Sequence, residues 1–281
     1  MPSQLLMSSI GAVLLALLPG CGTPGRPPVR DVRAATGALR AGPIHGTFTD
    51  GEGRTVRYQV SVPDALAAGE PHGVLLFFPW DGGGASYVRE ARIHAALAAE
   101  HHLVSVSVRQ PEGTRCWWAP EVEGYARLVD ALLRERLLGA YGLDPDRVFL
   151  TGMSGGADFA AAFPAHVGYR YGGGVVALCG GDVPRTDGGD CATEANPPEA
   201  PLRSDLTPRQ LAAVRYDFAL TADDPLLAPS LAAAALYRGA GFTHVRHRVV
   251  AGTGHCGFAE GWEGLDALAA GLDYVDARTN P

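Results

Sequence analysis

The feature that most restricts the fold of this chain is a series of short, strongly apolar runs. Val74–Phe78 is the clearest of them, and Leu103–Val108, Val148–Leu150 and Val175–Leu178 repeat the pattern along the chain. A strand that is buried on both faces has this composition, which is typical of parallel sheets covered by helices. The runs therefore predict an α/β protein with a mostly parallel central sheet.

Helix-prone segments lie between these runs. Glu121–Leu138 carries one apolar stripe at three- and four-residue spacings, whereas Tyr87–Glu100 and Leu231–Tyr237 are rich in alanine. Nearer the N terminus, Thr47–Thr49 and Arg54–Val62 flank an Asp-Gly turn, which predicts an antiparallel hairpin. We expect right-handed crossovers between the parallel strands, with functional residues at their carboxyl ends.

Residues 1–20 have the pattern of a signal peptide. Ile10–Leu18 is apolar but too short to cross a bilayer, which takes about 20 residues. The ending Leu18-Pro19-Gly20-Cys21 resembles the bacterial lipoprotein box, so we predict cleavage before Cys21 and a lipid on that cysteine. Simple secretion is the alternative, because no Lys or Arg precedes the apolar run. Either prediction places the mature protein outside the cytoplasm. Membrane contact is expected only through a lipid on Cys21.

The rest of the chain is predicted to be a linker and one domain. Residues 21–45 are rich in Pro, Gly, Ala and Arg without apolar periodicity, which predicts a flexible linker. Residues 46–281 are enough for one large domain. The formal net charge is −7 and no basic stripe is present, which argues against nucleic acid as a partner. We expect a monomer.

Four cysteines follow the predicted lipid site, and an even number in an oxidising compartment predicts two disulfides. Three pairings are open. We favour Cys179 with Cys191, which are close in sequence, and therefore Cys116 with Cys256. We predict no metal site, because His255 and Cys256 are adjacent but the other candidate ligands are scattered.

The motif Gly152-Met153-Ser154-Gly155-Gly156 follows the predicted strand Arg147–Thr151 and precedes the helix-prone Ala157–Phe163. Such a G-x-S-x-G turn strains the serine backbone and projects its Oγ from the top of the sheet. The motif predicts Ser154 as a nucleophile. The alternative is a Gly/Ser turn without activity.

A serine hydroxyl is a weak nucleophile and needs a base, usually His, that a carboxylate orients. With the chain order Ser, acid, His, the base is predicted to be His255, in a glycine-rich loop after the strand His244–Val250. The acid is expected after the strand Tyr216–Thr221, where Asp223 and Asp224 are adjacent. We favour Asp224, with Asp223 as the alternative.

A tetrahedral intermediate needs two backbone N–H donors for its oxyanion. One is predicted to be the N–H of Gly155, directly after the nucleophile. The other is predicted in the loop Pro79–Gly84, after the first apolar run. Within that loop we favour Asp81, with Trp80 or Gly82 as alternatives.

Large side chains near these loops are candidate substrate contacts. Trp80, Trp117 and Trp118 offer flat apolar faces for a sugar or an aromatic acyl group. Met153, next to the nucleophile, is predicted to contact substrate as well. The alternative for the Trp117-Trp118 pair is that one or both pack into the core beside a Cys116 disulfide.

The motifs resemble the extracellular esterases grouped with polyhydroxybutyrate depolymerases, feruloyl esterases and acetylxylan esterases, in the α/β-hydrolase superfamily. The resemblance covers residues 46–281 and rests on the serine motif together with the Asp224 loop and two further segments, Tyr237–Phe242 and Gly254–Phe258. It implies an α/β-hydrolase fold with helices on both faces of the sheet, hydrolysis of carboxylic esters and no cofactor. The chain departs from the pattern at Pro79-Trp80, where such esterases have His-Gly.

Together these features predict an extracytoplasmic serine carboxylesterase that acts on a small-molecule or polymer ester, including plant-wall esters, through an acyl-enzyme on Ser154. One alternative is a serine peptidase, since the same residues cleave amides. The other is a catalytically silent binding lipoprotein, since fold does not dictate function.

Overall fold

The computed structural model of the protein describes residues 42–63, 72–181 and 205–276, apart from residues 85, 115, 118–120, 259 and 262–263. These residues belong to one compact unit, Arg33–Pro281. The predicted signal peptide, the predicted lipid site at Cys21, Trp118 and Cys191 lie outside the described residues.

In the described part of the chain, eight strands form one sheet. They are β1 (Gly42–Thr49), β2 (Thr55–Val62), β3 (His72–Phe78), β4 (Leu103–Val108), β5 (Leu143–Met153), β6 (Gly173–Leu178), β7 (Val214–Thr221) and β8 (Val245–Val250). Their spatial order is β1-β2-β4-β3-β5-β6-β7-β8. The β1–β2 and β2–β4 pairs are antiparallel, and the pairs from β4–β3 to β7–β8 are parallel. The predicted mostly parallel sheet with an antiparallel N-terminal hairpin is confirmed.

Along the chain, the described helices alternate with the strands from β3 onwards, and the last of them follows the last strand. They are α1 (Tyr87–Glu100), α2 (Val122–Leu132), α3 (Gly139–Tyr141), α4 (Gly155–His166), α5 (Pro208–Ala213), α6 (Leu227–Gly239) and α7 (Leu265–Val275). The single helix predicted over residues 121–138 changes its winding at Leu133, where a π-helical segment, Leu133–Leu138, follows α2. This segment keeps Leu133 and Leu137 buried.

Alternate residues of each strand face opposite sides of the sheet, and both sides are covered. In β3, Val74, Leu76 and Phe78 pack into a large apolar cluster with α2, α4 and α6. Leu75 and Phe77 pack into a smaller cluster with α1 and α7. All five side chains are fully buried, which explains the continuous apolar run in the sequence. The prediction of helices on both faces is confirmed.

The strand β1 begins earlier than the predicted domain boundary at residue 46. Gly42 to His45 pair in register with Gln59 to Val62 of β2. The prediction of a flexible linker is therefore wrong for residues 42–45. Pro43 lacks an N–H group, but an edge strand such as β1 tolerates this, because one of its sides has no neighbouring strand.

The strand β8, which leads into the loop of His255, is fixed to its neighbours by a buried carboxylate. Asp217 of β7 is fully buried and accepts hydrogen bonds from Arg246 Nε at 2.6 Å and from Arg248 Nε at 3.0 Å. Arg248 Nη2 also donates to the carbonyl oxygen of Ala267 in α7 at 2.7 Å. A buried charge is costly unless it is paired and hydrogen-bonded, and here two guanidinium groups satisfy it.

Candidate active site

Ser154 occupies the sharp turn between β5 and α4. Its backbone has φ 53° and ψ −127°, a combination that strains any residue with a Cβ. The Ser154 N–H donates to Leu178 O at 3.1 Å, and the Ser154 carbonyl oxygen accepts from the Ala157 N–H at 2.7 Å. The serine therefore stands at the carboxyl ends of β5 and β6, in the conformation expected for a G-x-S-x-G turn.

Two glycines of the motif are required by close backbone contacts. A Cβ on Gly156 would overlap the carbonyl oxygens of Phe78 and Pro79, just after β3, and a Cβ on Gly152 would overlap the carbonyl of Gly156. The first turn of α4 thus lies directly against the loop that follows β3. This contact places Ser154 beside the loop predicted to supply the second oxyanion donor.

The structure brings Ser154, His255 and Asp224 together. His255 Nε2 lies 2.9 Å from Ser154 Oγ, and His255 Nδ1 lies 3.0 and 3.2 Å from the two carboxylate oxygens of Asp224. The Asp224 side chain is fully buried, whereas that of His255 is 35% exposed. The Leu226 N–H donates a further hydrogen bond to Asp224 Oδ1 at 2.8 Å. The three side chains form one continuous hydrogen-bonded chain.

Asp223, the alternative acid, contacts the backbone of the His255 loop and not the imidazole. Its Oδ1 accepts a hydrogen bond from the Gly254 N–H at 2.7 Å and lies 3.2 Å from Thr221 Oγ1. The Gly254 N–H lowers the pKa of the Asp223 carboxyl. The two adjacent aspartates therefore have separate partners, and the geometry favours Asp224 as the acid.

A disulfide joins Cys179, directly after β6, to Cys256, the residue next to His255. The predicted pairs Cys179–Cys191 and Cys116–Cys256 are therefore wrong. Closeness in sequence favoured Cys191, but the loops after β6 and β8 meet at one edge of the sheet, which brings together cysteines 77 residues apart. Cys116 is also disulfide-bonded.

Removing the Cys179–Cys256 disulfide is expected to lower both stability and activity. The bond links residues 77 apart, and restriction of the unfolded chain by such a link stabilises a protein by about 2–4 kcal/mol. The double variant Cys179→Ser, Cys256→Ser should show this loss in the free energy of unfolding by urea. Its kcat should also fall, because the chain neighbour of His255 is no longer held.

The matched control for that experiment is the double variant with alanine at both positions. If the serine and alanine variants lose the same free energy of unfolding and the same kcat, the effect comes from the missing bond and not from the buried hydroxyl groups of the serines. A free energy of unfolding equal to that of the wild type would contradict the prediction.

The loop after β3 is held in place by Trp117. Its backbone N–H donates to Asp81 Oδ1 at 3.0 Å, and its ring Nε1 donates to Pro79 O at 2.7 Å. Gln110 Nε2 donates to the carbonyl oxygen of Trp80 at 3.1 Å. These bonds hold the backbone carbonyls of Pro79 and Trp80 and the side chain of Asp81, in the loop where the sequence predicts an oxyanion donor.

The two residues favoured as oxyanion donors, Gly155 and Asp81, are in contact through the Asp81 side chain. A Cβ on Gly155 would overlap the carboxylate of Asp81, so the two residues are in contact. The Gly83 N–H donates to Trp80 O at 2.8 Å and is used within the turn. Trp80, Asp81 and Gly82 remain the three candidates for the residue that supplies the second donor.

Two of the predicted substrate contacts belong to the core. Trp117 is fully buried, with its ring centroid 5.0 Å from that of Phe78 and 4.9 Å from that of Phe159. Met153 is 1% exposed and packs in the smaller apolar cluster. The prediction that these two side chains contact substrate is wrong. The Trp117 ring can be buried because its Nε1–H has a hydrogen-bond partner, as has the backbone N–H of this residue. Trp80 is half-buried and remains a predicted substrate contact.

One group of residues in the described part of the chain has metal-ligating atoms within 4.8 Å of one another, namely Cys179, His255 and Cys256. Both sulfurs are in the disulfide, so neither offers a thiolate. Both ring nitrogens of His255 have hydrogen-bond partners, Ser154 and Asp224. The arrangement is suited to proton transfer.

Thr221 is a residue of this site that sequence reasoning missed. Its Oγ1 donates to the carbonyl oxygen of Gly254 at 2.7 Å. A threonine at the end of a buried strand has no distinctive sequence signal. Only the contact of Thr221 with the His255 loop in the folded protein shows its role.

No family model and no curated protein sequence matches this chain. Solved structures do match. A thermophilic, thermostable carboxylesterase cloned from a metagenomic library is similar with a TM-score of 0.60 and 17% identity, over 89% of this chain and 93% of that one. A ferulic acid esterase is similar with a TM-score of 0.60 and 15% identity, over 84% of this chain and 97% of that one. The chain has the α/β-hydrolase fold.

A third similar structure, an esterase of Pyrobaculum calidifontis, has a TM-score of 0.58 and 17% identity, over 84% of both chains. In the α/β-hydrolase fold the nucleophile, the acid and the base follow in that order along the chain. Ser154, Asp224 and His255 have this order. Among the described helices, none combines the length and apolarity needed to cross a bilayer.

Proposed function

We propose that this protein is a serine carboxylesterase that forms an acyl-enzyme on Ser154. The observation that carries the proposal is the hydrogen-bonded chain from Ser154 Oγ through both nitrogens of His255 to the buried carboxylate of Asp224. Such a chain can remove the hydroxyl proton and return it to a leaving group. The α/β-hydrolase fold, shared with several esterases of known structure, supports the same activity.

In the acylation step, Ser154 Oγ attacks the carbonyl carbon of the ester while His255 Nε2 takes the hydroxyl proton. Asp224 accepts a hydrogen bond from Nδ1–H, which keeps the Nε2 lone pair directed at the serine and stabilises the imidazolium. The carbonyl oxygen becomes an oxyanion, and we propose that it accepts hydrogen bonds from the N–H of Gly155 and from one N–H of residues 80–82. His255 then gives its proton to the departing alcohol, and the acyl-enzyme remains.

Deacylation repeats these roles with water. His255 Nε2 takes a proton from a water molecule, whose oxygen attacks the acyl carbon and forms a second oxyanion in the same place. Collapse of this intermediate breaks the bond to Ser154 Oγ, which recovers the proton from His255. The acid is released and the free serine is restored. No cofactor is needed at any step.

For the substrate class we propose carboxylic esters outside the cytoplasm, including esters on polymers or plant-wall material, with the protein lipid-anchored through Cys21 or secreted. The leader pattern and the Cys179–Cys256 disulfide support this location, because disulfides persist in oxidising compartments. The resemblance to extracellular esterases and the structural similarity to a ferulic acid esterase support the substrate class. The half-buried Trp80 offers a flat apolar surface for an aromatic acyl group.

The proposal is tested with the purified protein and p-nitrophenyl esters, followed by a panel of acetyl, feruloyl and hydroxybutyrate esters. We expect turnover of at least one of these classes, and labelling of Ser154 by a fluorophosphonate probe, located by peptide mass spectrometry. The variant Ser154→Ala should show neither. Cleavage of peptide amides without ester turnover would indicate a peptidase, and absence of both turnover and labelling would indicate a binding protein. Either result would overturn the proposal.

A further inference from the structure

We propose that Thr221 and Asp223 are positioning residues that hold the loop of His255 in place for catalysis. The inference rests on the proposed function and assigns a role to two side chains outside the hydrogen-bonded chain of Ser154, His255 and Asp224. Both side chains stand at the carboxyl end of β7 and contact the same residue, Gly254, which directly precedes His255. We call this pair the Gly254 clamp.

The clamp holds both polar groups of Gly254 at once. The Gly254 N–H donates to Asp223 Oδ1 at 2.7 Å, and the Gly254 carbonyl oxygen accepts from Thr221 Oγ1 at 2.7 Å. The N–H belongs to the peptide plane before Gly254 and the carbonyl to the plane after it. Thr221 and Asp223 therefore fix the two peptide planes that lead into His255, and the Thr221 side of the clamp is fully buried.

The loop needs such an anchor because its own sequence is flexible. Gly252, Gly254 and Gly257 lie within six residues, and glycine has more conformational freedom than any other residue. Gly252 and Gly254 have φ values of 139° and 70°. The His255 ring is 35% exposed, so packing alone holds it only in part. External hydrogen bonds to the backbone supply the missing restraint.

The clamp and the disulfide act on opposite sides of the base. Gly254 is attached to the end of β7, and Cys256 is bonded to Cys179 at the end of β6. The two chain neighbours of His255 are thus attached to β6 and β7, the two strands that follow β5 in the sheet, and β5 carries the Ser154 turn. A reacting group displaced by about 1 Å can lose on the order of 100-fold in rate. We therefore expect the clamp to affect kcat more than substrate binding.

The clamp also explains why two aspartates are adjacent here. Asp224 is buried and contacts the imidazole, whereas Asp223 is exposed and contacts the loop backbone. The Gly254 N–H lowers the pKa of the Asp223 carboxyl, which is the expected effect of a hydrogen bond to the charged form. Such a charge-assisted bond is stronger than one between neutral groups.

The test uses two matched pairs of variants in the full-length enzyme. Asp223→Ala and Thr221→Val remove the hydrogen-bonding atom, whereas Asp223→Asn and Thr221→Ser keep an oxygen at the same position. We expect Asp223→Ala and Thr221→Val to lower kcat by about tenfold, with KM nearly unchanged. Asp223→Asn and Thr221→Ser should recover most of this loss. Asp273→Ala, which removes a carboxylate that is 77% exposed on α7, is the control for the change in net charge and should leave kcat unchanged.

Three results would overturn the inference while the ester hydrolysis itself is observed. The first is a kcat of Asp223→Ala equal to that of the wild type. The second is a loss of kcat in Asp223→Asn as large as that in Asp223→Ala. The third is a fall in the melting temperature of Asp223→Ala that is large enough to account for its lost activity. If the wild type has no ester turnover, the proposed function fails instead. Hydrogen exchange at the Gly254 amide then tests the clamp separately, since Asp223→Ala should speed that exchange and an unchanged rate would overturn it.

Discussion

Replacing Ser154 with alanine is expected to lower kcat by on the order of 10⁶-fold, and His255→Ala by a similar factor. Without Ser154 Oγ no acyl-enzyme forms, and without the imidazole the hydroxyl keeps its proton and remains a weak nucleophile. The losses are not expected to multiply. The double variant should be about as active as either single variant, because the groups act as a unit. Values of kcat for p-nitrophenyl ester hydrolysis by the three variants check this.

The matched control for the histidine substitution is His45→Ala. His45 is exposed on β1, at the opposite edge of the sheet from β8, so its loss should leave kcat unchanged. If the double variant instead showed the product of the two single losses, Ser154 and His255 would act independently, and the assignment of nucleophile and base would be wrong.

The second large effect is expected from Asp224→Asn, which should lower kcat by on the order of 10⁴-fold. The asparagine side chain has nearly the same shape, but its amide donates a hydrogen bond to Nδ1 of His255. That bond favours the tautomer with the proton on Nε2, which cannot accept the proton of Ser154. Circular dichroism and the melting temperature establish that the variant is folded, so that the lost activity reports on the tautomer.

Asp223→Asn is the natural control for this substitution, since it makes the same chemical change at the adjacent position. It should cost far less, because an amide oxygen can still accept the Gly254 N–H that now binds Asp223 Oδ1. If Asp223→Asn were the more damaging of the two, the role of acid would pass to Asp223, and the Gly254 clamp would lose its basis.

The same reasoning shows what local patterns in the chain could and could not predict. Val74–Phe78 is apolar at every position because both of its faces are covered, so the buried strand could be predicted from the sequence alone. The turn at Ser154 could be predicted as well, because Gly152 and Gly156 meet neighbouring backbone at distances that no side chain allows. In each case the residues that carry the signal form one short segment of the chain, although Gly156 meets the distant backbone of Phe78 and Pro79.

Other features depended on contacts between distant parts of the chain. Trp117 follows a strand near the site, as a residue at its mouth would, yet it is buried between Phe78 and Phe159. Cys179 is close in sequence to Cys191 but is bonded to Cys256. Neither outcome has a local signal, since burial and disulfide pairing follow from which loops meet at the sheet edge.

The sequence by itself determined the α/β class, the strands, the serine turn and the identity of the residues offered as nucleophile and base. The tertiary structure alone decided which of two adjacent aspartates faces His255, which cysteine holds the loop, and that Thr221 and Asp223 hold Gly254. The physical reason is the parallel sheet itself. It places the carboxyl ends of β5, β6, β7 and β8 side by side, so that residues far apart in the chain become neighbours, and a one-dimensional pattern does not contain those distances.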